Sequence, residues 1–353
     1  MTATLTTRAA APAPGALVGA GRHARARRWR LVLVVLVVAL LAVMLLTLCV
    51  GERSYSPVDV FRVVLGQHVD GASFTVGDLR LPRALTGILV GIAFGMGGVM
   101  FQTMLRNVLA SPDVIGISAG SSAAAVVAIT AFGISGPALS AVAVAAGIGV
   151  AGVIYALSWR RGVHGTRLIL IGIAVGAMLD SVISYTLSRA AIYDVNEAMR
   201  WLTGSLNSAF WPVVRPLAVA IAVLAPLATV LSRRLSALQL GDDASTALGV
   251  SADRSRLVLL VVAVALVSVG TAAAGPIAFV AFLAGPIAHR LVRGSGPLLW
   301  PAALVGALLV LVGDYAGQHL LGLRFPVGVV TGVLGAPYLL WLLARSNRSG
   351  GSL

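Results

Sequence analysis

From Leu31 to Val50 the chain reads LVLVVLVVALLAVMLLTLCV, twenty residues without one charge. Apolar side chains occupy every face. The stretch therefore lacks both the period of two that marks a barrel strand and the polar stripe of a soluble helix. Twenty residues is also about what an α-helix needs to cross the hydrocarbon core of a bilayer. Leu257 to Val269, LVLLVVAVALVSV, repeats the pattern far downstream. Such segments can satisfy their backbone groups in lipid only as helices.

Working outward, 58% of the 353 residues are hydrophobic and 11% charged, where a soluble domain is about half apolar and a quarter charged. Roughly 205 apolar positions suffice for about ten spanning helices. The expected fold class is an all-α membrane protein, a polytopic bundle of about ten transmembrane helices, some short or kinked. The first covers 31–50. The others are expected near 83–105, 114–132, 138–158, 167–188, 213–232, 257–274, 277–292, 298–317 and 326–344. Interruptions are expected at Gly275-Pro276, Gly285-Pro286, Phe325-Pro326 and Ala336-Pro337, and Gly87, Gly91 and Gly95 make a small-residue face for close helix packing.

Residues 1–29 form an Arg-rich tail. A secretory signal would have a core of about 7–15 residues before a small-residue cleavage site, whereas this run has full spanning length, so it is read as an uncleaved first helix. With the N-terminus inside, 18 of the 26 arginines fall in inner segments and 8 in outer ones, which fits the positive-inside rule. Both termini are expected in the cytoplasm, with a transmembrane domain over 30–345, a polar cytoplasmic segment at 233–256 and a tail at 346–353. The net charge of +14 then reflects topology and contact with anionic lipid, not nucleic acid.

The chain contains no lysine, so it can form neither a Walker A loop nor a Schiff base. Cys49 is the only cysteine, and His23, His68, His164, His289 and His319 are never closer than 30 residues. No metal site, cofactor or nucleophile–base pair is therefore expected in this chain. Two carboxylates, Asp180 and Asp314, fall inside expected helices, and a charge there is costly enough to suggest function. Both are expected to face the bundle interior, either as functional groups or as hydrogen-bonded structural carboxyls. Gln102 is a further polar side chain at membrane depth, opening the inner turn that runs to Gly120. Arg80 and Arg83 flank Pro82 at an outer helix mouth, where arginines serve equally as fixed cations for an acidic partner or as headgroup anchors.

Several blocks stand in a recognisable order: Arg80-Leu81-Pro82-Arg83, the Gln102 to Gly120 run, Trp201-Leu202-Thr203-Gly204-Ser205-Leu206, Leu240-Gly241-Asp242-Asp243-Ala244 with Leu248-Gly249, and Pro326 to Pro337. In these the chain resembles the iron-siderophore, haem and cobalamin permeases of type II ABC importers from about Glu52 to Trp341. The resemblance implies a permease subunit for a ferric siderophore or similar chelate. It would sit in a bacterial plasma membrane as a homo- or heterodimer, with ATP and Mg held by separate ATPase subunits and substrate delivered by an extracytoplasmic binding protein. By the same resemblance Arg80 and Arg83 become docking residues. Gly241, Asp242, Asp243, Ala244, Leu248 and Gly249 become the coupling segment for the ATPase, and the turn Val163-His164-Gly165-Thr166 becomes the inner gate, a simple short loop being the other reading. The chain departs from the pattern at Val108, where proline is usual, at Gln318, where the cobalamin permease has an arginine, and at Arg324, where an acidic residue is common; Arg324 is accordingly expected as the third docking contact. A rival class is a proton-coupled secondary transporter using Asp180 and Asp314; dependence on a separate ATPase separates the two.

Overall fold

A computed structural model describes residues 14–113, 116–159 and 165–348. Among these the chain is helical throughout, with no strand. The first helix, α1, runs Pro14–Cys49, and a short α2 (Pro57–Val64) follows. A π-helical turn, Ser73–Arg80, then leads directly into α3 (Leu81–Met104). Three further helices are α4 (Ile117–Phe132), α5 (Gly136–Ser158) and α6 (Gly165–Arg189), after which α7 (Ile192–Leu202) is short. Next come α8 (Trp211–Gln239), a six-residue α9 (Asp242–Ala247) and α10 (Ala252–Ala274). The chain closes with α11 (Val280–Val292), α12 (Leu299–His319) and α13 (Val327–Arg348).

Seven of these stretches are long and apolar enough to cross a membrane, and α4, α11 and the apolar part of α13 are shorter apolar helices. Together they make the ten expected. The 13 residues of α11 rise only about 20 Å at 1.5 Å per residue, too little to span by themselves. Of the four expected interruptions, Gly275-Pro276 separates α10 from α11 and Phe325-Pro326 precedes α13. Pro286 and Pro337 lie within α11 and α13, inside the expected ranges 277–292 and 326–344, and Pro216 and Pro226 are likewise held inside α8. Neighbouring helices let a membrane bundle tolerate such prolines.

The core is built on α3, whose most extensive partner is α12. A methyl group on Gly91 would overlap the Ala307 backbone, one on Gly95 the Ala302 carbonyl, and one on Gly98 the Ala281 carbonyl. The absence of side chains is what brings these backbones together, as small-residue ridges do in membranes.

Side-chain contacts sort the segment ends into two groups. At one end, Trp29 Nε1 donates to Pro297 O at 2.9 Å, Arg106 Nη2 to Leu238 O at 2.8 Å, and Arg290 lies over the rings of Tyr338 and Trp341. At the other, Arg80 bonds Leu48 O, Trp211 Nε1 bonds Gly77 O at 3.1 Å, and Arg83 meets Asn207 and Asp314. The part of α1 around Trp29, the start of α12 and the ends of α3, α8, α11 and α13 thus share one end, the arginine-rich one in the sequence count.

Candidate functional site

At the end opposite the arginine-rich one, the π-helical turn presents Arg80 and the first turn of α3 presents Arg83. Arg80 Nη1 donates to Leu48 O at 2.8 Å and Nη2 to Arg53 O at 2.7 Å, with the guanidinium 5.3 Å from the centre of the Tyr55 ring. Arg83 grips Asp314 of α12 through two parallel bonds, Nε to Oδ2 at 2.7 Å and Nη2 to Oδ1 at 2.8 Å, while Nη1 donates to Asn207 Oδ1 at 3.0 Å. This fork-on-carboxylate geometry is the strong, directional form of the ion pair. Arg324 pairs with Glu52 on the exposed surface. All three arginines expected to dock a partner line one outer cavity of about 560 Å³, together with Tyr55, Tyr315, Gln318 and His319. Gln318 Nε2, in the last turn of α12, reaches Phe325 O of the following loop at 3.5 Å.

The two intramembrane carboxylates part company. Asp314 is buried, as expected, and its pair with Arg83 accounts for its charge. Asp180, by contrast, does not face the interior that its place in the sequence leads one to expect. It lies exposed on α6, because the side of α6 turned toward α4 and α5 is carried by Leu168, Gly172, Gly176 and the apolar residues near Ile183 and Leu187. With one carboxylate paired and the other on an outer face, the two form no proton relay. Gln102 is buried, and its Nε2 donates to Phe282 O at 2.9 Å. It closes the first turn of α11, where Gly285 leaves room for its Oε1.

At the arginine-rich end, α8 and α10 are joined by Gly241 to Gly249. Gly241 (φ +110°) and Gly249 (φ +78°) take backbone values open to glycine, and between them the single turn α9 stands out from the bundle. Asp243 and Ala244 are exposed, Leu248 is 65% exposed, and Ser245 is buried beneath them; the Asp242 side chain is not among the described ones. Sequence reasoning missed what braces this segment. Arg106, in the left-handed region at φ +49°, ends the α3 turn and bonds the Leu238 carbonyl through Nε (3.2 Å) and Nη2 (2.8 Å). The signal was an arginine next to asparagine in an otherwise neutral turn.

The Val108 departure is compensated locally. Asn107 Oδ1 accepts from Leu109 N at 2.9 Å, an Asx turn in place of a proline-fixed one. Nearby, Ser118 Oγ donates to Asp113 Oδ1 at 2.5 Å. Burial pushes the Asp113 carboxyl above its ordinary range, and hydrogen bonds from Ser118 and Ser111 oppose the rise. Of the expected gate turn, Val163 and His164 lie outside the described residues; Gly165 and Thr166 open α6, with Thr166 exposed.

The described residues form a helical membrane bundle with three arginines lining a cavity at one end and an exposed turn at the other. The chain belongs to the FecCD transport family, whose model matches residues 24–345. It is 40% identical over 302 residues to the ferric enterobactin transport system permease protein FepG of Escherichia coli (strain K12), covering 84% of this chain and 91% of that protein. It is 35% identical over 325 residues to the Fe(3+)-citrate import system permease protein YfmE of Bacillus subtilis (strain 168), covering 91% and 97%. Among solved structures, a metal-chelate type ABC transporter in an inward-facing conformation matches with a TM-score of 0.80 and 26% identity, over 89% of this chain and 98% of that one.

Proposed function

We propose that this chain is the permease subunit of an ATP-driven importer of ferric siderophores or related metal chelates, in a bacterial plasma membrane with both termini cytoplasmic. The observation that carries the reading is the protruding turn at 241–249. It is a short helix held between two long ones, braced by Arg106 and offering an exposed leucine to something outside the chain. Transmission of force needs such a rigid, exposed projection, and a separate ATPase that binds ATP and Mg is its natural partner.

At the other mouth, Arg80, Arg83 and Arg324 suit the acidic surface of an extracytoplasmic binding protein. The face of α6 bearing Asp180 supports a path shared with a second permease, identical or paralogous, because a carboxylate turned to lipid is costly. The scattered histidines fit a cargo that arrives already chelated. ATP binding on the partner subunits then shifts the pair between outward- and inward-open states.

The test is made on the permease reconstituted with its ATPase and binding protein. Asp243→Arg and Leu248→Asp are each expected to abolish chelate uptake and stimulated ATP hydrolysis while leaving the permease inserted. Full uptake with normal ATPase co-purification in both variants overturns the reading.

A further inference from the structure

Docking residues are expected to stand clear of their own protein, yet Arg83 is committed at every nitrogen. Nε and Nη2 go to Asp314 and Nη1 to Asn207. Its side chain keeps a quarter of its exposure while that of Asp314 keeps 7%. Arg80 differs in kind, since it bonds two backbone carbonyls and lies over the Tyr55 ring, and no carboxylate among the described residues pairs with it. We propose that Asp314 is a positioning residue for docking, which holds Arg83 pre-aimed for a second carboxylate, while Arg80 supplies the long-range attraction. The proposal rests on the reading of the outer mouth as the binding-protein site.

Two physical arguments decide against simple exchange, in which the partner's carboxylate would displace Asp314. Stripping a buried carboxylate of its paired cation is strongly destabilising, because it leaves an uncompensated buried charge. Displacement is also unnecessary. A guanidinium carries five N–H groups, and the three bonds described leave one on Nη1 and one on Nη2. A second carboxylate can add to those without breaking the first pair. What Asp314 contributes is order: a free arginine gives up rotamer freedom on binding, and this one has given it up already.

Asn207 completes the device and explains why the Trp201 to Leu206 block belongs with the site. Its own backbone N–H bonds Ser205 Oγ at 3.1 Å, Ser205 N bonds Ala274 O at 2.7 Å, and Gly328 N bonds Gly204 O at 3.1 Å. Gly204 (φ +67°) lies so close to Pro276 that a side chain would overlap its carbonyl. The turn that steadies Arg83 is therefore tied to the end of α10 and the start of α13.

The experiment measures association and dissociation of the importer's purified binding protein on the permease–ATPase complex in nanodiscs, at low and high salt. Preorganisation acts on dissociation and uncancelled charge on association. Asp314→Asn is expected to speed dissociation about tenfold with association within about threefold of wild type. Arg80→Gln is expected to slow association at low salt and little at high salt. The double variant Asp314→Asn/Arg83→Gln should dissociate no faster than Arg83→Gln alone, because Asp314 acts only through Arg83. Should Asp314→Asn fail to accumulate, Asn207→Ala reads the same role and is expected to speed dissociation several-fold. Unchanged or slower dissociation in Asp314→Asn, or in Asn207→Ala where that variant stands in, overturns the proposal. Wild-type binding by Arg80→Glu/Arg83→Glu at low salt overturns the docking reading itself. Loss of binding there with unchanged dissociation in Asp314→Asn, or in Asn207→Ala where that variant stands in, ends the positioning role alone.

Discussion

The stretch Ser73–Met104, containing α3, and the stretch Thr166–Arg189 of α6 are matched in hydropathy, yet the first is 78% buried over its most apolar window and the second 17%. Hydropathy therefore says that a segment belongs in the membrane and nothing about whether it faces protein or lipid. The difference lies in small residues and in where polar ones sit. In α3, Gly91, Gly95 and Gly98 admit backbones of α11 and α12. In α6, Asp180, Ser181, Ser184 and Ser188 lie on the exposed side. Serine can live in hydrocarbon by bonding back one turn, as Ser181 Oγ does to Ala177 O and Ser184 Oγ to Asp180 O, each at 2.9 Å. A carboxylate has no such solution, and on this rests the proposal that a second permease meets the Asp180 face.

The strongest way to break this contrast is to put bulk into α3. In Gly98→Val the new side chain meets the Ala281 backbone, which cannot rotate away as a flexible side chain would. Overpacking typically costs about 1–3 kcal/mol, and a backbone overlap falls at or beyond the top of that range. Gly98→Val is expected to leave almost no folded protein in the membrane by fluorescence-detected size exclusion. Wild-type yield and melting would show that α3 is not held by backbone contact.

The ten apolar helices were legible because uninterrupted apolar runs have few physical alternatives. The short helices α2 and α7 were not read from the sequence, although the mark of one was present. Ser56 caps α2 by accepting from Asp59 N at 3.1 Å, with Pro57 in the first turn. Pro286 and Pro337 lie inside helices whose expected ranges, 277–292 and 326–344, already contained them. The bond between Arg83 and Asp314 joins residues 231 apart, and no spacing rule links them. The direction of Asp180 was misjudged by considering it alone, since with Ser181, Ser184 and Ser188 it forms a helical stripe that a lone carboxylate does not reveal. The segment 241–249 was found through resemblance to a family, and its exposed Leu248 gives that expectation a physical form.

The middle test sharpens the comparison by separating function from fold. Asp180→Leu removes a charge from a face that contributes little to the protomer's core, so folded yield and melting temperature are expected to stay within a few degrees of wild type. If that face lines a path shared with a second subunit, chelate uptake should fall about tenfold, since an interaction of roughly 1.4 kcal/mol in the rate-limiting state is a factor of ten. Unchanged uptake would place Asp180 away from the path, and a collapse of the protomer would make α6 as structural as α3.

The smallest expected effect lies on the buried side of α6 and tests whether its packing is loose there as well. Gly176 faces Gly116, and a methyl group at 176 would stand 3.6 Å from the Gly116 Cα, an ordinary van der Waals distance. Alanine in a helix is favoured over glycine by about 0.5–1 kcal/mol, and no clash opposes that gain. Gly176→Ala is therefore expected to raise the melting temperature by about 1–2 °C or leave it unchanged. The reciprocal change, Gly116→Ala, puts a side chain on a backbone at φ +81° and 2.9 Å from the Gly172 carbonyl, so it should destabilise although the same two helices are involved. Thermal melts of the two variants in one detergent decide the point. A loss for Gly176→Ala comparable to that for Gly98→Val would mean that α6 is packed backbone to backbone like α3, and that its exposure does not report a weakly held helix.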